Sequence, residues 1–358
     1  MTAPAPVDVP AIVERLANGN RAALSLHLRG RRVVAVVIDG SGVEVTVHEL
    51  DTRVEFALEA YARNLRLFTP NPFQFDISAE EELDVGLSDV VPSTVVERVS
   101  SASTLIVIPH GVLHLLPWAA MSVEDQYLFE RAAVGVLPNL ACLPLLDVEP
   151  LRDPGVALLG DPVYTTERYK PLMHSAAEIN DIARLYGHKV IAPPATGKDA
   201  TEAAFWGLMS SEAARTAVLH VSAHGTLDAD EPLASGLLLG ESTVDAAELI
   251  TRSCASPEVV LSACSTGWRP LSARGLELAG DDALGLPASF LEAGARFLLV
   301  SVPQAKDDVT RAFTTAWHRN RLSGLTPLNA YRAAQQQMLT TAPDRIWAWA
   351  GMTAYGAR

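Results

Sequence analysis

Two hydrophobic rhythms alternate along the chain. TLIVIP (Thr104 to Pro109), GVALLG (Gly155 to Gly160), AVLHVSA (Ala217 to Ala223), VVLSA (Val259 to Ala263) and RFLLVSV (Arg296 to Val302) are short and apolar at nearly every position. Such runs predict strands covered on both faces, as in a parallel sheet between two layers of helices. From Gly155 onward they are separated by segments long enough for helices, so the pattern predicts an α/β sandwich. RRVVAVVID (Arg31 to Asp39) and VEVTVHEL (Val43 to Leu50) flank Gly40, Ser41 and Gly42 and predict a hairpin, with glycine supplying the positive φ of the turn. VEFALEAYARNLRLF, from Val54, has apolar residues at helical spacing, and Ser78 with Glu81 makes a capping box for a further helix. The proline-containing stretch at residues 137–155 reads as a packed linker and sets the expected boundary between an N-terminal portion, 1–150, and a second portion, 151–358.

Composition narrows the classes. A chain of 358 residues, 49% hydrophobic, can bury one large core or two ordinary ones. A formal charge of -14, with no basic run, argues against a nucleic-acid partner, which needs clustered Lys and Arg to displace counterions from phosphates. The first residues lack the positive flank and apolar core of a secretory signal. The longest apolar stretch, Leu105 to Met121, is broken by Pro109, His110, His114 and Pro117, so no membrane span is expected. Three cysteines, Cys142, Cys254 and Cys264, have neither metal-ligand spacing nor a disulfide framework, which fits a reducing cytoplasm.

The chemistry concentrates after two of the apolar runs. Cys264 follows VVLSA, and His224 follows AVLHVSA 40 residues earlier. Reactive groups of doubly wound sheets collect beyond the carboxyl ends of the strands, and an imidazole beside a thiol draws off its proton to give the attacking thiolate. Gly225 has no Cβ, so its amide can approach a substrate carbonyl and form an oxyanion hole with the amide of Cys264. The ordinary reading of each residue alone is structural: a buried small thiol and a hydrogen-bonded histidine. His110 and His114 have helical metal spacing, but Gly111 and the prolines oppose a helix there. His220, two residues before Ser222 on one strand face, reads as a buried strand histidine. Ala195, Thr196, Gly197 and Lys198 lack the glycine and hydroxyl of a phosphate loop and read as a turn, with Asp199 and Glu202 capping the next helix. No metal or cofactor is expected.

HVSAHG (His220 to Gly225), VVLSACSTG (Val259 to Gly267), GDDALGLPASFLEAGARFLLVS (Gly280 to Ser301) and the closing WAWAGMTAYG together resemble the CHAT family, caspase-like cysteine peptidases related to separase. LIVIPHGVLHLLPWAAM, and GDPVY followed by HSAAEINDIARLYG, extend the resemblance over nearly the whole chain. It implies a caspase-like three-layer α/β/α sandwich with a mostly parallel central sheet in residues 151–358, preceded by an α/β, pseudo-caspase-like portion in 1–150. It also implies catalytic roles for His224 and Cys264, with Gly225 and Cys264 as oxyanion donors. Asp282 falls on the acidic position after the nucleophile, where helix capping is the competing reading. In SVPQAKDDVT the chain departs from the family: Pro303 stands at the usual tryptophan, Gln304 at the proline and Lys306 at the first acid. In separase-like enzymes this loop lines the pocket for the residue before the cut. The resemblance gives Asp307 that role, which Lys306 would offset and for which capping of the following helix is the alternative. Asp228, four residues past His224, is the nearest orienting carboxylate by sequence.

The resulting expectation is a cytoplasmic, prokaryotic-style cysteine endopeptidase. It cuts a protein substrate in a regulated defence or cell-death response, with an activating protein partner suggested by exposed sheet edges. Two rivals remain: a catalytically silent CHAT-fold scaffold, and a small-molecule hydrolase or nucleotide-binding domain, which the absence of a phosphate loop and of a Gly-x-Ser-x-Gly elbow disfavours.

Overall fold

The runs that are apolar throughout lie in the middle of one sheet. The computed structural model describes residues 8–67, 85–147, 149–165, 169–226, 228, 231–263, 272–273, 276–277, 285–301, 307–343 and 350–356. Its central sheet has eleven strands: β1 (Arg21–Arg29), β2 (Arg32–Asp39), β3 (Gly42–Glu49), β4 (Thr104–Ile108), β5 (Ala133–Val136), β6 (Gly155–Pro162), β7 (Ala195–Gly197), β8 (Ala217–Ser222), β9 (Glu258–Ser262), β10 (Phe297–Ser301) and β11 (Met352–Tyr355). Across the sheet the order is β3-β2-β1-β4-β5-β11-β10-β9-β8-β6-β7. β8, β9 and β10 are buried at every position, as predicted for strands sandwiched between helices. At the edge, β3 keeps a period-two alternation that turns Val43, Val45 and Val47 outward.

Pairing divides this sheet into two parallel blocks of opposite direction. β1, β4, β5 and β11 are mutually parallel, as are β10, β9, β8, β6 and β7; β11 and β10 pair antiparallel. Carboxyl ends of the first block therefore lie along one rim of the sheet and those of the second block along the other. The junction of β5 with β11 is narrow. A Cβ on Gly135 would stand 2.2 Å from the Gly356 carbonyl oxygen, and Gly356 itself has φ 135°, so both positions require glycine for the backbones to meet.

The predicted hairpin forms between β2 and β3, with Asp39 opposite Gly42 and a two-residue turn at Gly40 and Ser41. Gly42 has φ 122°, and Asp39 Oδ1 accepts from the Ser41 amide at 2.7 Å. β1, whose apolar run is punctuated by Ser25 and His27, was not marked by the hydrophobic pattern. Eight α-helices of eight or more residues occur among the described residues: α1 (Val9–Ala17), α2 (Thr52–Leu67), α3 (Ser93–Ser100), α4 (Ser175–Tyr186), α5 (Glu202–Ser210), α6 (Leu286–Ala293), α7 (Asp307–Leu322) and α8 (Pro327–Thr341). α2 matches the predicted helix. α5 is capped by Thr201, whose hydroxyl accepts from the Ala204 amide, rather than by Asp199: the chain leaves its turn two residues later than the capping-box reading assumed. α8 ties the blocks together, with Arg332 donating to the Phe129 and Glu130 carbonyls beside β5. Ser78, Glu81, Trp347 and Trp349 lie outside the described residues.

Candidate active site

Two neighbouring parallel strands set the frame. β8 pairs with β9 in a register that places Ser222 beside Ser262, the last residue of each. His224 stands two residues past Ser222, and Cys264 two residues past Ser262. The chain is described as far as Ala263, which is buried; Cys264 lies outside the described residues, as does Asp282.

His224 opens a short strand, His224–Thr226, that pairs antiparallel with Gly236–Leu239 and through it with Ser242–Asp245. Three contacts fix it. Its amide donates to the Tyr164 hydroxyl at 3.0 Å, and the rings of Tyr164 and Tyr169 pack on the imidazole at centroid distances of 4.9 and 5.6 Å. Its Nε2 stands 2.7 Å from the Lys170 carbonyl oxygen. A carbonyl only accepts, so Nε2 carries the proton and, in the neutral ring, Nδ1 is the bare, basic nitrogen. The group that orients the imidazole is thus a backbone carbonyl. Asp228, the carboxylate nearest in sequence, instead accepts from the Glu231 amide at 2.8 Å, because the chain turns there before Pro232–Ala234. Gly225 lies in the same short strand, opposite Leu237.

Beneath the strand ends lies a buried polar cluster that the sequence reading did not identify. Glu178 Oε2 accepts from both Ser222 Oγ and Ser262 Oγ, each at 2.9 Å, and Oε1 accepts from the Thr314 hydroxyl, with His220 Nε2 3.5 Å away. Burial acts to raise the carboxyl pKa of Glu178, but His220 and the Thr314 and Ser262 hydroxyls outweigh it and hold the group below the ordinary carboxylate range. His220 Nδ1 meets His318 Nε2 at 3.1 Å, and His318 Nδ1 meets the Tyr186 hydroxyl at 3.0 Å. Burial, His220 and Arg321 push the pKa of His318 well down, so that ring is neutral. The contacts thus run in line from the Tyr186 hydroxyl through His318 to His220, whose Nε2 faces the Glu178 carboxylate. His220 is buried and hydrogen-bonded, as its strand position implied. Glu178 did have a sequence signal: it sits on the inward stripe of α4, with Ser175, Ile179, Ile182 and Tyr186, where a charge needs partners.

The remaining candidates are dispersed. Asp307 is the first residue of α7, and its side chain lies outside the described residues, as does the loop from Val302 to Lys306. His110 precedes, and His114 lies within, a 3-10 turn, Gly111–Leu115, on the opposite rim. His110 Nδ1 accepts from the Leu28 amide at 3.3 Å, and its ring packs on His27. Among the described residues no cluster of three or more His, Cys, Asp or Glu side chains could hold a metal ion, and no helix is long and apolar enough to cross a membrane. Gly197 closes β7 and leads into the turn at Asp199.

The CHAT domain matches residues 84–357 of this chain. Separase, in the Saccharomyces cerevisiae separase–securin complex, superposes with a TM-score of 0.57 at 11% identity, covering 96% of this chain. The present chain spans 30% of that separase chain. Gingipain R, an Arg-specific cysteine proteinase, superposes with a TM-score of 0.49 at 9% identity over 75% of this chain and 68% of its own. No curated protein matches the sequence. A mostly parallel sheet with helices on both sides, its superposition on separase and a match over 84–357 lead to one assignment: this chain belongs to the CHAT domain family and has a caspase-like, separase-related cysteine peptidase fold.

Proposed function

We propose that the chain is a cysteine endopeptidase in which His224 and Cys264 form the catalytic dyad. One observation carries this reading: adjacent parallel strands end in register at Ser222 and Ser262, each two residues before its member of the pair, on the rim where an α/β sheet gathers reactive groups. The tautomer of His224 supports it, because Nε2 is committed to the Lys170 carbonyl and Nδ1 is left to take a thiol proton. In this mechanism Nδ1 deprotonates Cys264, the thiolate attacks a peptide carbonyl, and the amides of Gly225 and Cys264 receive the oxyanion. The imidazolium then protonates the leaving amine, and water hydrolyses the thioester. Asp282 and Asp307 are proposed to shape the pocket for the residue before the cut, with Pro303 and Lys306 altering its preference.

The substrate is a protein. The wider role is a regulated defence or cell-death response in the cytoplasm that depends on an activating protein partner, for which β3, an edge strand among the described residues, is a candidate contact. The portions 1–150 and 151–358 are assigned to support and to chemistry respectively. Covalent capture by acyloxymethyl-ketone peptide probes, read by mass spectrometry at Cys264, tests the reading. Capture that Cys264→Ala and His224→Ala both abolish is expected. A Cys264 that no probe of the set labels, with or without candidate partners, would overturn the enzyme in favour of a silent scaffold.

A further inference from the structure

The geometry points to Glu178 as the positioning residue of the dyad: a single buried carboxylate that locks together the two strand ends from which His224 and Cys264 are carried. This inference rests on the peptidase reading and extends it to a residue that touches no substrate. Ser222 and Ser262 project toward the helix layer of α4 and α7; β8 and β9 are joined by the backbone ladder and, at their opposite ends, by the Ser256 hydroxyl, which donates to the Ala217 carbonyl and accepts from the Leu219 amide. The paired register ends at Ser222 and Ser262, so at that end of the two strands no further ladder bond follows. One oxygen of Glu178 accepting from both hydroxyls holds these ends together, because any relative displacement of the strand ends lengthens one bond or the other. Ser175 reinforces the clamp: its hydroxyl donates to the Ser222 carbonyl at 3.1 Å and accepts from the Asp161 amide at 2.8 Å.

The charge matters as well as the shape. Glu178 is 3% exposed and faces four donors: the hydroxyls of Ser222, Ser262 and Thr314, and His220 Nε2. A carboxylate can accept from all four, whereas an amide of the same shape either turns its NH2 against the His220 donor or turns it to the serine pair, whose hydroxyls must then reverse from donating to accepting and lose their charge-assisted bonds. Behind it, the rings of His220 and His318 and the Tyr186 hydroxyl orient the carboxylate from the far side. Glu178 therefore fixes geometry without donating a proton to the reaction.

The test measures the alkylation rate of Cys264 by iodoacetamide as a function of pH, with the modified peptide quantified by mass spectrometry so that Cys142 and Cys254 do not contribute. In the wild-type chain the profile is expected to have its midpoint below the value of about 8.5 for a free thiol. Glu178→Gln is expected to move that midpoint up by about one pH unit or more, toward the free thiol. Ser222→Ala and Ser262→Ala should each give a smaller rise that adds little to Glu178→Gln in the double variants. Leu261→Ala, a core truncation one residue from Ser262, is the comparison for destabilisation alone: it should lower the thermal midpoint without moving the profile. A depressed wild-type midpoint that Glu178→Gln and Ser262→Ala both retain would overturn the role of Glu178 and leave the dyad standing. An ordinary thiol profile in the wild-type chain would overturn the dyad and the positioning role together. Should Glu178→Gln fail to fold, the two serine variants decide the question by the same criterion.

Discussion

The two parallel blocks of the sheet each send a histidine-bearing segment past the end of an apolar strand, and they use it differently. After β4, on one rim, His110 turns its Nδ1 back to the amide of Leu28 in neighbouring β1 and stacks on His27. After β8, on the other rim, His224 is held by Nε2 to a carbonyl between two tyrosine rings, and no described residue bonds to its Nδ1. The first histidine is a backbone acceptor; the second is held through Nε2, and among the described residues nothing bonds to its Nδ1. Ionic groups differ between the blocks in the same sense. In the β1–β5 block, Arg98 bridges Asp39 at 2.5 Å and Glu44 at 2.8 Å near the surface. In the other block, Arg321 and Glu258 form a two-point pair about which almost nothing is exposed, and Glu178 is enclosed by hydroxyls and His220. The cluster near the surface braces a turn; the enclosed one joins strand ends to the helix layer.

The largest contrast is expected in reactivity. His224→Ala should reduce covalent capture of a peptide probe at Cys264 by a factor of about 10³, while His110→Ala leaves capture within a factor of about two, as a backbone acceptor on the opposite rim should. Equal losses in the two variants would erase the distinction between the rims. Stability comes next. Arg321→Met strands the Glu258 carboxylate in the core and should cost about 3–5 kcal/mol in urea unfolding, whereas pairing it with Glu258→Leu should recover much of that loss. An Arg321→Met variant as stable as the parent would show that the enclosed pair is not what distinguishes this block.

Arg98→Ala should cost less, about 2 kcal/mol, because its carboxylate partners regain water when the guanidinium is removed. The same cluster predicts a pH signature. Arg98 and the Ser41 hydroxyl hold the Asp39 carboxyl far below its ordinary range against the effect of burial. Its stabilisation is therefore fully present above the unfolded carboxyl pKa of about 3.9 and declines as the pH falls below that value. Denaturant unfolding between pH 5 and 2, at about half-unit steps, should show a steeper acid loss in the parent than in Arg98→Ala. Parallel curves for the two proteins would remove Asp39 from the acid response.

Much of this was legible in the residues. β8, β9 and β10 were visible as unbroken apolar runs, because strands covered on both faces admit little else, and the β2–β3 turn was visible in its glycines. β1 escaped because Ser25 and His27 interrupt its apolar run on a face that is only partly covered. Thr201 was missed as a cap because Asp199 and Glu202, two residues before it and one after, offered a competing capping-box motif. The Lys170 carbonyl could not have been found at all: a backbone oxygen carries no residue-type signal, and it comes from 54 positions away.

By itself the sequence determined the apolar strands β4, β6, β8, β9 and β10, the β2–β3 hairpin and α2, that they belong to an α/β sandwich, and which thiol and imidazole follow the apolar runs. Those properties depend on local periodicity and side-chain chemistry, which are written along the chain. Only the tertiary structure decided that β8 and β9 are neighbours ending in register, that the two blocks of the sheet face opposite rims, which tautomer His224 adopts, and that Glu178 joins Ser222 to Ser262 across the helix layer. Each of these is a relation between segments distant in sequence. It is set by which strands pair and by where buried charges find partners, and no single stretch of residues encodes it.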